Sequence, residues 1–441
     1  MLSADENPLI LGFLLQKIKP LKKMNALRIS PLLLFLLFMI SSASARRLSG
    51  TKQFGHHLLP QFLMTPGITN LNNGAFGTGA KVAYEAFHNY NMQMEANANF
   101  WFRGGYQPVL ERVREQLATY IGARASDLVL VENASGGANA VLRSLADNLP
   151  LKSGDQVLYL NIVYPMVRNV VAYISQERQL GVVQVNITFP LVNAESGVLA
   201  PLRAALEANP NVKVAALDHI ASYPAALLPI KEMVALCQAR GIFVFVDGAH
   251  VLGHVALNVT DIGADAYISN VHKWAYNPKS ACILHVQPKW QPLITPNVIS
   301  SESSTTSFVT TFEYTGTRNY NAFLAAEVSL AFRASLGAEE EIMAYNHRIA
   351  YEGALRTAAL WNTSLLIPNE TLVPALACVI TPPGANISDI RLKLQEAPYN
   401  TWIQPGITDE GVNYIRLSGQ VYLEDGDIDL FAQRFLSLMK P

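Results

Sequence analysis

Nearly unbroken apolar runs alternate with helix-like segments between residues 127 and 286. The runs 212–217, 242–246 and 281–286 are apolar at almost every position. Runs without a polar face are typical of strands that are buried on both sides. Their alternation with helical segments predicts a mostly parallel sheet sandwiched by helices, which is an α/β fold.

The pattern changes after residue 287. Several prolines interrupt it, and a long helical region over 322–359 follows. Strands are predicted near 375–380 and 412–417. The C-terminal part is therefore expected to form a smaller α+β domain.

Two predicted strands end in residues that carry chemistry. The run 242–246 ends at Asp247, and the run 264–269 leads within a few residues to Lys273. Because open α/β sheets bind ligands outside the carboxyl ends of their strands, this acid and this lysine are expected to share one crevice.

A buried ion pair would use the same two residues, but the neighbours of Lys273 favour catalysis. His272 and Trp274 flank the lysine close to apolar strand ends. Partial desolvation lowers the pKa of an amine, which suits it to Schiff-base chemistry.

The motif around these residues is Asp-x-x-His, then a strand, then Asn-x-His-Lys. It is formed by Asp247, His250, Asn270, His272 and Lys273. In order and spacing it resembles the class V branch of the fold-type I pyridoxal-phosphate enzymes. Within that branch, the chain is most similar to isopenicillin N epimerase-like proteins and plant-type L-cysteine desulfhydrases.

The resemblance extends over most of the chain after about Phe54 and implies a domain organisation. An N-terminal arm, 54–78, would lie at the mouth of the active site. A large domain, 79–305, would bind pyridoxal 5′-phosphate, and a small domain, 306–441, would complete the fold.

The resemblance also implies the catalytic roles. Lys273 would hold the cofactor covalently until the substrate amine displaces it, and would then act as the base at Cα. Asp247 would keep the pyridine nitrogen protonated, and His250 would form a hydrogen bond near the ring oxygen.

Loops that follow other strands would supply the remaining cofactor contacts. A small-residue loop that opens a helix after residue 131 offers free N–H groups and the positive end of the helix dipole. By resemblance, Tyr164 would stack on the ring, and Ser222 would face the ring oxygen or the substrate. The phosphate would be held by Ser135, Gly136, Asn270 and His272 of the same chain. Thr317 of the partner subunit would complete this site.

Thr317 implies an obligate homodimer with shared active sites, since the matching Gly-Thr of the family reaches across the dimer interface. The substrate is expected to be an amino acid. Arg416 matches the arginine that binds its α-carboxylate, for which a bidentate guanidinium is a natural partner. Asn72 and Asn73 are further candidates for substrate binding.

These residues serve β-elimination, epimerisation and transamination equally well. Persulfide-forming desulfurases carry a nucleophilic cysteine on a mobile loop, whereas Cys237, Cys282 and Cys378 all lie in apolar runs that predict buried thiols. We therefore favour a C–S β-lyase on cysteine or an S-substituted cysteine. An epimerase or an aminotransferase is the alternative, and a non-catalytic secreted glycoprotein would have little reason to keep the site residues together.

The net charge and the spacing of the histidines bear on three other kinds of ligand, which are nucleic acid, an anionic membrane surface and a metal ion. With 33 basic and 34 acidic residues the net charge is −1, which implies neither nucleic acid nor an anionic membrane surface as a partner. His250 and His254 have the spacing of zinc ligands on a helix, but Gly253 weakens that helix and no third ligand motif appears. No metal site is predicted.

Residues 1–47 have the pattern of a secretory signal. An apolar core at 31–40 follows several basic residues, and Ala43 to Ala45 offer small residues for cleavage. The core is too short for a stable membrane span. We predict entry into the secretory pathway or export, with an uncleaved membrane anchor or an organelle presequence as alternatives.

Overall fold

A computed structural model of the chain describes residues 53–304 and 307–439. All of the described residues belong to one compact unit. The predicted signal segment, 1–47, lies outside the described residues. Its nature therefore stays a prediction, as does the division into domains at residue 305.

Twelve strands occur in the described chain. They are β1 (Thr69–Asn70), β2 (Leu128–Val131), β3 (Gln156–Leu160), β4 (Gly181–Val185), β5 (Val212–Asp218), β6 (Phe243–Asp247), β7 (Ala266–Asn270), β8 (Cys282–Val286), β9 (Leu376–Ile380), β10 (Thr401–Trp402), β11 (Gln404–Ile407) and β12 (Asn413–Ser418).

The α-helices of the described chain range from single turns to more than six turns. They are α1 (Asn73–Phe76), α2 (Lys81–Ala96), α3 (Ala98–Phe100), α4 (Gln107–Tyr120), α5 (Ala134–Asn148), α6 (Pro165–Arg178), α7 (Ala200–Ala208), α8 (Ile230–Gln238), α9 (Val259–Ile262), α10 (Val271–Trp274), α11 (Phe308–Glu313), α12 (Asn321–Leu324), α13 (Ala326–Leu336), α14 (Glu339–Trp361), α15 (Ile387–Gln395) and α16 (Asp425–Met439).

The central sheet has seven strands in the order β2-β8-β7-β6-β5-β3-β4. Only β8 runs against its neighbours, β2 and β7, so the sheet is mostly parallel, as predicted. Every residue of β6, β7 and β8 is buried, as their unbroken apolar sequences predict. Helices such as α5 and α6 bury their apolar faces against this sheet in one continuous core.

Helix α5 positions the predicted phosphate loop. It begins at Ala134, because the side chain of Asn133 accepts a hydrogen bond from the Gly136 N–H at 2.9 Å and so caps the helix. The sequence pattern predicts a helix only from Ala138. The small residues of the loop therefore form the first helical turn.

The C-terminal part contains a three-stranded antiparallel sheet, β11-β12-β9, which packs against α14. The helical region predicted over 322–359 is divided into α12, α13 and α14, with Gly337 in a positive-φ conformation between the last two. Residues of the predicted arm form hydrogen bonds with strands of this C-terminal part. Strand β1 pairs with β10, and Ser418 donates its N–H to the carbonyl of Leu71 at 2.9 Å.

Two further observations concern the described residues alone. None of their helices is both long and apolar enough to cross a bilayer. Cys237, Cys282 and Cys378 are buried free thiols, which confirms the burial that their apolar surroundings predict.

Candidate active site

The carboxyl ends of three neighbouring strands form the floor of the candidate site. Asp218 ends β5 and is paired in register with Asp247 at the end of β6. Strand β7 leads directly into the short helix α10, which carries Lys273. The acid and the lysine thus come from adjacent parallel strands, as the sequence predicts.

The Lys273 amine contacts the imidazole of His250, with 3.1 Å between Nζ and Nε2. Burial lowers the pKa of Lys273 to about 7, and the charge of Arg416 acts in the same direction. The carboxylate of Asp247 opposes this shift without reversing it. A large fraction of the amine is therefore unprotonated near neutral pH.

His250 links the lysine to the loop after β5. Its Nε2 atom lies 3.1 Å from the Ser222 hydroxyl. Burial and the positive charge of Lys273 hold the pKa of His250 well below its usual value, so the ring is neutral. Its Nδ1 atom is buried and has no hydrogen-bond partner among the described residues.

Asp247 is almost fully buried and accepts a hydrogen bond from the Ala249 N–H at 2.9 Å. Burial raises the pKa of Asp247, while the Ala249 N–H and Lys273 limit the rise. The pKa of Asp218 is raised well above its usual value by burial and by the charge of Asp247. Burial and the Asp247 charge therefore favour the protonated form of Asp218. The sequence signal for Asp218, an acid at a strand end, is visible, but its pairing with Asp247 requires the strand register.

Arg416 is fully buried beneath the loop that carries Ser222. Its Nη1 donates to the Ser222 carbonyl at 2.9 Å and to the hydroxyl at 3.2 Å, and its Nη2 donates to Asn72 Oδ1 at 3.1 Å. The guanidinium lies over the Tyr223 ring at 4.8 Å. The structure thus brings together three of the predicted residues and adds Tyr223, which the sequence pattern missed.

Asn73 contacts the lysine from the other side. It is fully buried, and its side-chain amide donates to the main-chain carbonyl of Lys273 at 3.2 Å. Gly77 packs on the same backbone, because a Cβ atom there would lie 2.1 Å from the carbonyl oxygen of His272. These two residues of the arm hold α10 in place.

His254 belongs to the packing beneath the site. Its Nε2 accepts the Ala375 N–H at 2.7 Å, and its Nδ1 lies 2.8 Å from the His250 carbonyl. Its ring stacks on Trp274 at 3.7 Å. Both ring nitrogens therefore have protein partners, and among the described residues no group of histidine, cysteine and carboxylate side chains has the arrangement of a metal site.

Comparison with known proteins decides the family. Residues 79–400 match the model of the family described as Aminotransferase class-V. The chain belongs to the class V aminotransferase family. The fold and family predictions are thereby confirmed, and the chain is a pyridoxal-phosphate-dependent enzyme.

Relatives of this class V enzyme align over most of its length. It is 27% identical to hercynylcysteine sulfoxide lyase of Schizosaccharomyces pombe, over 86% of this chain and 96% of the relative. It is 28% identical to L-cysteine desulfhydrase of Arabidopsis thaliana, over 88% and 90% respectively. A solved complex of a cystine C–S lyase with its product, cysteine persulfide, has the same fold, with a TM-score of 0.74 and 20% identity over 84% of this chain and 97% of that one.

The predicted phosphate site of this class V enzyme lies at the first turn of α5, a helix of 15 residues. Asn270 Oδ1 accepts the Ala134 N–H at 3.0 Å and so ties the end of β7 to the helix. Ser135 is half-buried there, whereas the N–H of Gly136 is donated to the Asn133 cap. The Ser135 hydroxyl and the helix dipole are thus better placed than the Gly136 N–H to meet an anion.

Three predicted cofactor residues lie outside the Lys273–His250–Ser222–Arg416 network. His272 is buried, and its Nδ1 lies 3.0 Å from the Ala281 carbonyl. Tyr164 is 42% exposed and stacks on Tyr223 at 6.4 Å. Thr317 is exposed and lines a separate cavity of about 590 Å³, so within the described part of one chain it does not meet Lys273. The roles assigned to these residues stay predictions.

The residues present fit pyridoxal phosphate. The site offers an amine with a pKa of about 7, a buried carboxyl pair and the amino end of a long helix. Two buried donors, His250 Nδ1 and Arg416 Nε, have no partner among the described residues. Unsatisfied polar atoms of this kind are costly without a ligand.

Proposed function

We propose that this enzyme is a C–S β-lyase that acts on L-cysteine or an S-substituted L-cysteine. One observation carries the proposal. The Lys273 amine, whose pKa is about 7, contacts a neutral His250. His250 is in turn linked through Ser222 to the buried Arg416. One sequence relative is named a sulfoxide lyase and the other a desulfhydrase, which supports this reaction class.

Each protein group has a defined task in this proposal. Pyridoxal phosphate, when bound, supplies an electron sink for the carbon next to the amine. Arg416 binds the α-carboxylate and so fixes the position of Cα. Lys273 removes the Cα proton, and its lowered pKa makes it an effective base near neutral pH. Asp247 holds a proton at the pyridine nitrogen.

The overall reaction breaks the Cα–H and Cβ–S bonds. The sulfur leaves as hydrogen sulfide from L-cysteine or as a thiol from an S-substituted cysteine, and water converts the remaining three-carbon unit into pyruvate and ammonia. No thiol of the protein is needed for this balance. Burial raises the pKa of Cys378 to about 12 and also raises the pKa of Cys282, so these two side chains are protonated and poor nucleophiles at neutral pH.

We also propose that the enzyme is a homodimer with shared active sites. The exposure of Thr317 in the described chain, away from the Lys273 cluster, supports a contact with the cofactor phosphate of the partner.

For residues 1–47, we propose secretory targeting. N-terminal sequencing of the protein after expression in secreting cells tests it, and an intact N-terminus in the cytosolic fraction would refute it.

Proton NMR in deuterated water tests the lyase proposal. The purified enzyme with added pyridoxal phosphate would receive L-cysteine, cysteine S-conjugates and sulfoxides, and ordinary L-amino acids. Pyruvate from the cysteine compounds alone is the expected result. Exchange of the Cα proton with loss of optical purity and no pyruvate would identify an epimerase. Persulfide on any protein cysteine during turnover would also overturn the proposal.

A further inference from the structure

A second cavity, of about 680 Å³, adjoins the candidate active site. We call it the arm cavity, because most of its wall comes from residues 63–79, and the rest comes from Tyr84, α15, Lys279 and residues 402–404. Asn72 lines it and also accepts a hydrogen bond from Arg416. Gly77 lines it and packs on the backbone of His272 and Lys273. Asn72 and Gly77 thus border both the arm cavity and the residues around Lys273 and Arg416.

The arm cavity has an excess of positive charge. Lys279 and Arg391 both line it, and none of its lining residues is acidic. Lys279 donates to the Gly77 carbonyl at 3.2 Å. Neither cation forms an ion pair with a carboxylate among the described residues. Two cations without acidic partners in a concave site favour an anionic ligand.

The remaining wall suits an organic group rather than a bare ion. Tyr84, Phe76 and Trp402 present aromatic surface, and the last two are 74% and 43% exposed. Gln395 and Gln404 add polar groups. Small-molecule sites typically have volumes of about 300–1,000 Å³ and combine apolar walls with a few polar groups. The side chain of free cysteine ends at its thiol and would leave this space empty.

We propose that the arm cavity binds the sulfur substituent of an S-substituted cysteine, and that this substituent carries a carboxylate. Lys279 and Arg391 are its charge partners. Asn72 lies between this carboxylate and the α-carboxylate at Arg416. The proposal rests on the C–S lyase function and specifies its substrate class.

The reaction on such a substrate balances without a further reactant. For S-(2-carboxyethyl)-L-cysteine, the Cα proton is lost and the Cβ–S bond breaks. The products are 3-mercaptopropionate, pyruvate and ammonia, with one water consumed. The carboxylate leaves with the thiol, so it selects the substrate and takes no part in bond breaking.

The test compares kcat/KM for this acid with kcat/KM for its neutral amide, S-(2-carbamoylethyl)-L-cysteine. Wild-type enzyme is expected to prefer the acid about tenfold, in keeping with charge-assisted hydrogen bonds. Lys279→Gln and Arg391→Gln should each remove most of this preference. Lys393→Gln is the matched control, because Lys393 lies on the same helix as Arg391, pairs with Asp389 at 2.8 Å and does not line the cavity. It should keep the wild-type ratio.

A binding measurement separates this proposal from the lyase proposal. The α-methyl form of each compound has no Cα proton to lose, so calorimetry with the cofactor-loaded enzyme reports binding alone. Tighter binding of the acid that disappears in both cavity variants supports the arm cavity, even if nothing is turned over and the lyase proposal fails. Equal binding and equal turnover of acid and amide would overturn the cavity proposal and leave the lyase proposal standing.

Discussion

The surroundings of Lys273 reduce the cost of removing its proton. Burial and the nearby Arg416 guanidinium outweigh the attraction of Asp247, which leaves the pKa of the amine at about 7. The usual value for lysine is about 10.4, and an amine reacts with an aldehyde only in its neutral form. This single shift would prepare the side chain for both roles predicted for it, which are capture of the cofactor and action as a base.

The pH dependence of cofactor capture should report this shift. Because the folded-state pKa is lowered, the neutral amine gains population as pH rises through about 7, whereas an ordinary lysine gains it near about 10.4. We expect the capture rate of cofactor-free enzyme to rise between pH 6 and 8 and then level off, as followed by stopped-flow absorbance. Lys273→Ala is the control and should show no covalent capture after borohydride reduction. A rate that still climbs steeply above pH 9 would contradict the prediction.

The two carboxyls at the strand ends should respond differently to the same substitution. Asp247→Asn removes the acceptor assigned to the pyridine nitrogen, so kcat should fall by about 10²–10⁴-fold. Asp218→Asn replaces a carboxyl whose pKa is raised by burial and by the charge of its neighbour, which favours its neutral form, so kcat should change less than about threefold. Steady-state kinetics on both variants measures this contrast. Similar losses in the two would show that Asp218 is also ionised.

At the scale of elements, the helix α10 and the arm are held together by close backbone packing. Asn73 binds the Lys273 carbonyl, and Gly77 touches the His272 carbonyl. Lys273, the lysine predicted to be catalytic, is therefore held by residues about 200 positions earlier in the chain. Its position therefore depends on the arm as well as on its own strand.

Gly77→Ala should test this packing. The new Cβ atom would lie 2.1 Å from a carbonyl oxygen, and the residue has a φ of 71°. We expect unfolding in urea to show a loss of roughly 2–4 kcal/mol, from steric overlap added to backbone strain. Gly67→Ala is the matched control, because Gly67 has a φ of 83° with no atom within 4 Å, so only the strain of roughly 1 kcal/mol should appear. Equal losses would argue against the overlap.

The sequence predicts the strands of the central sheet better than it predicts the breaks between helices. Strands such as β6 and β8 are confirmed, because a run with no polar face has few alternatives to burial. The break at Gly337 escaped prediction, since a single glycine is tolerated in many helices. The contacts of Asn73 and the register of Asp218 depend on distant pairing, which no local pattern reports. The family, the cofactor and the buried cysteines are confirmed, while the roles of individual site residues stay predictions.

At the scale of the whole molecule, the assignment of Thr317 requires a second copy of the chain. Thr317 and Lys273 lie apart in the described chain, so a phosphate contact from Thr317 is possible only across an interface. In a symmetric dimer the same exchange would occur twice. Each active site would then be built from two chains.

Hybrid dimers should reveal such sharing. Lys273→Ala removes the amine predicted to be catalytic, and Thr317→Asp would place a negative charge beside the partner's phosphate, so each variant alone should be nearly inactive. Random mixing should restore about a quarter of wild-type activity, because half of the dimers then contain one intact site. The recovered activity is measured after the two variants have been refolded together. The control is the activity of the two proteins refolded separately and mixed afterwards. No recovery would place Thr317 in the site of its own chain, whereas an active Thr317→Asp variant would place it outside both sites.

The joining of Arg416 to Asn72 has a consequence for the synthesis of the protein. The two residues are separated by 344 positions, and Ser418 of the same strand binds Leu71 and Gly74. Domains fold in the order in which they leave the ribosome, so the central sheet can form while β12 has yet to be translated. Arg416, which is predicted to bind the substrate carboxylate, is therefore among the last residues of the fold to be synthesised. On this assignment, a chain that stops short of β12 would contain Lys273 but would lack the arginine predicted to bind the substrate.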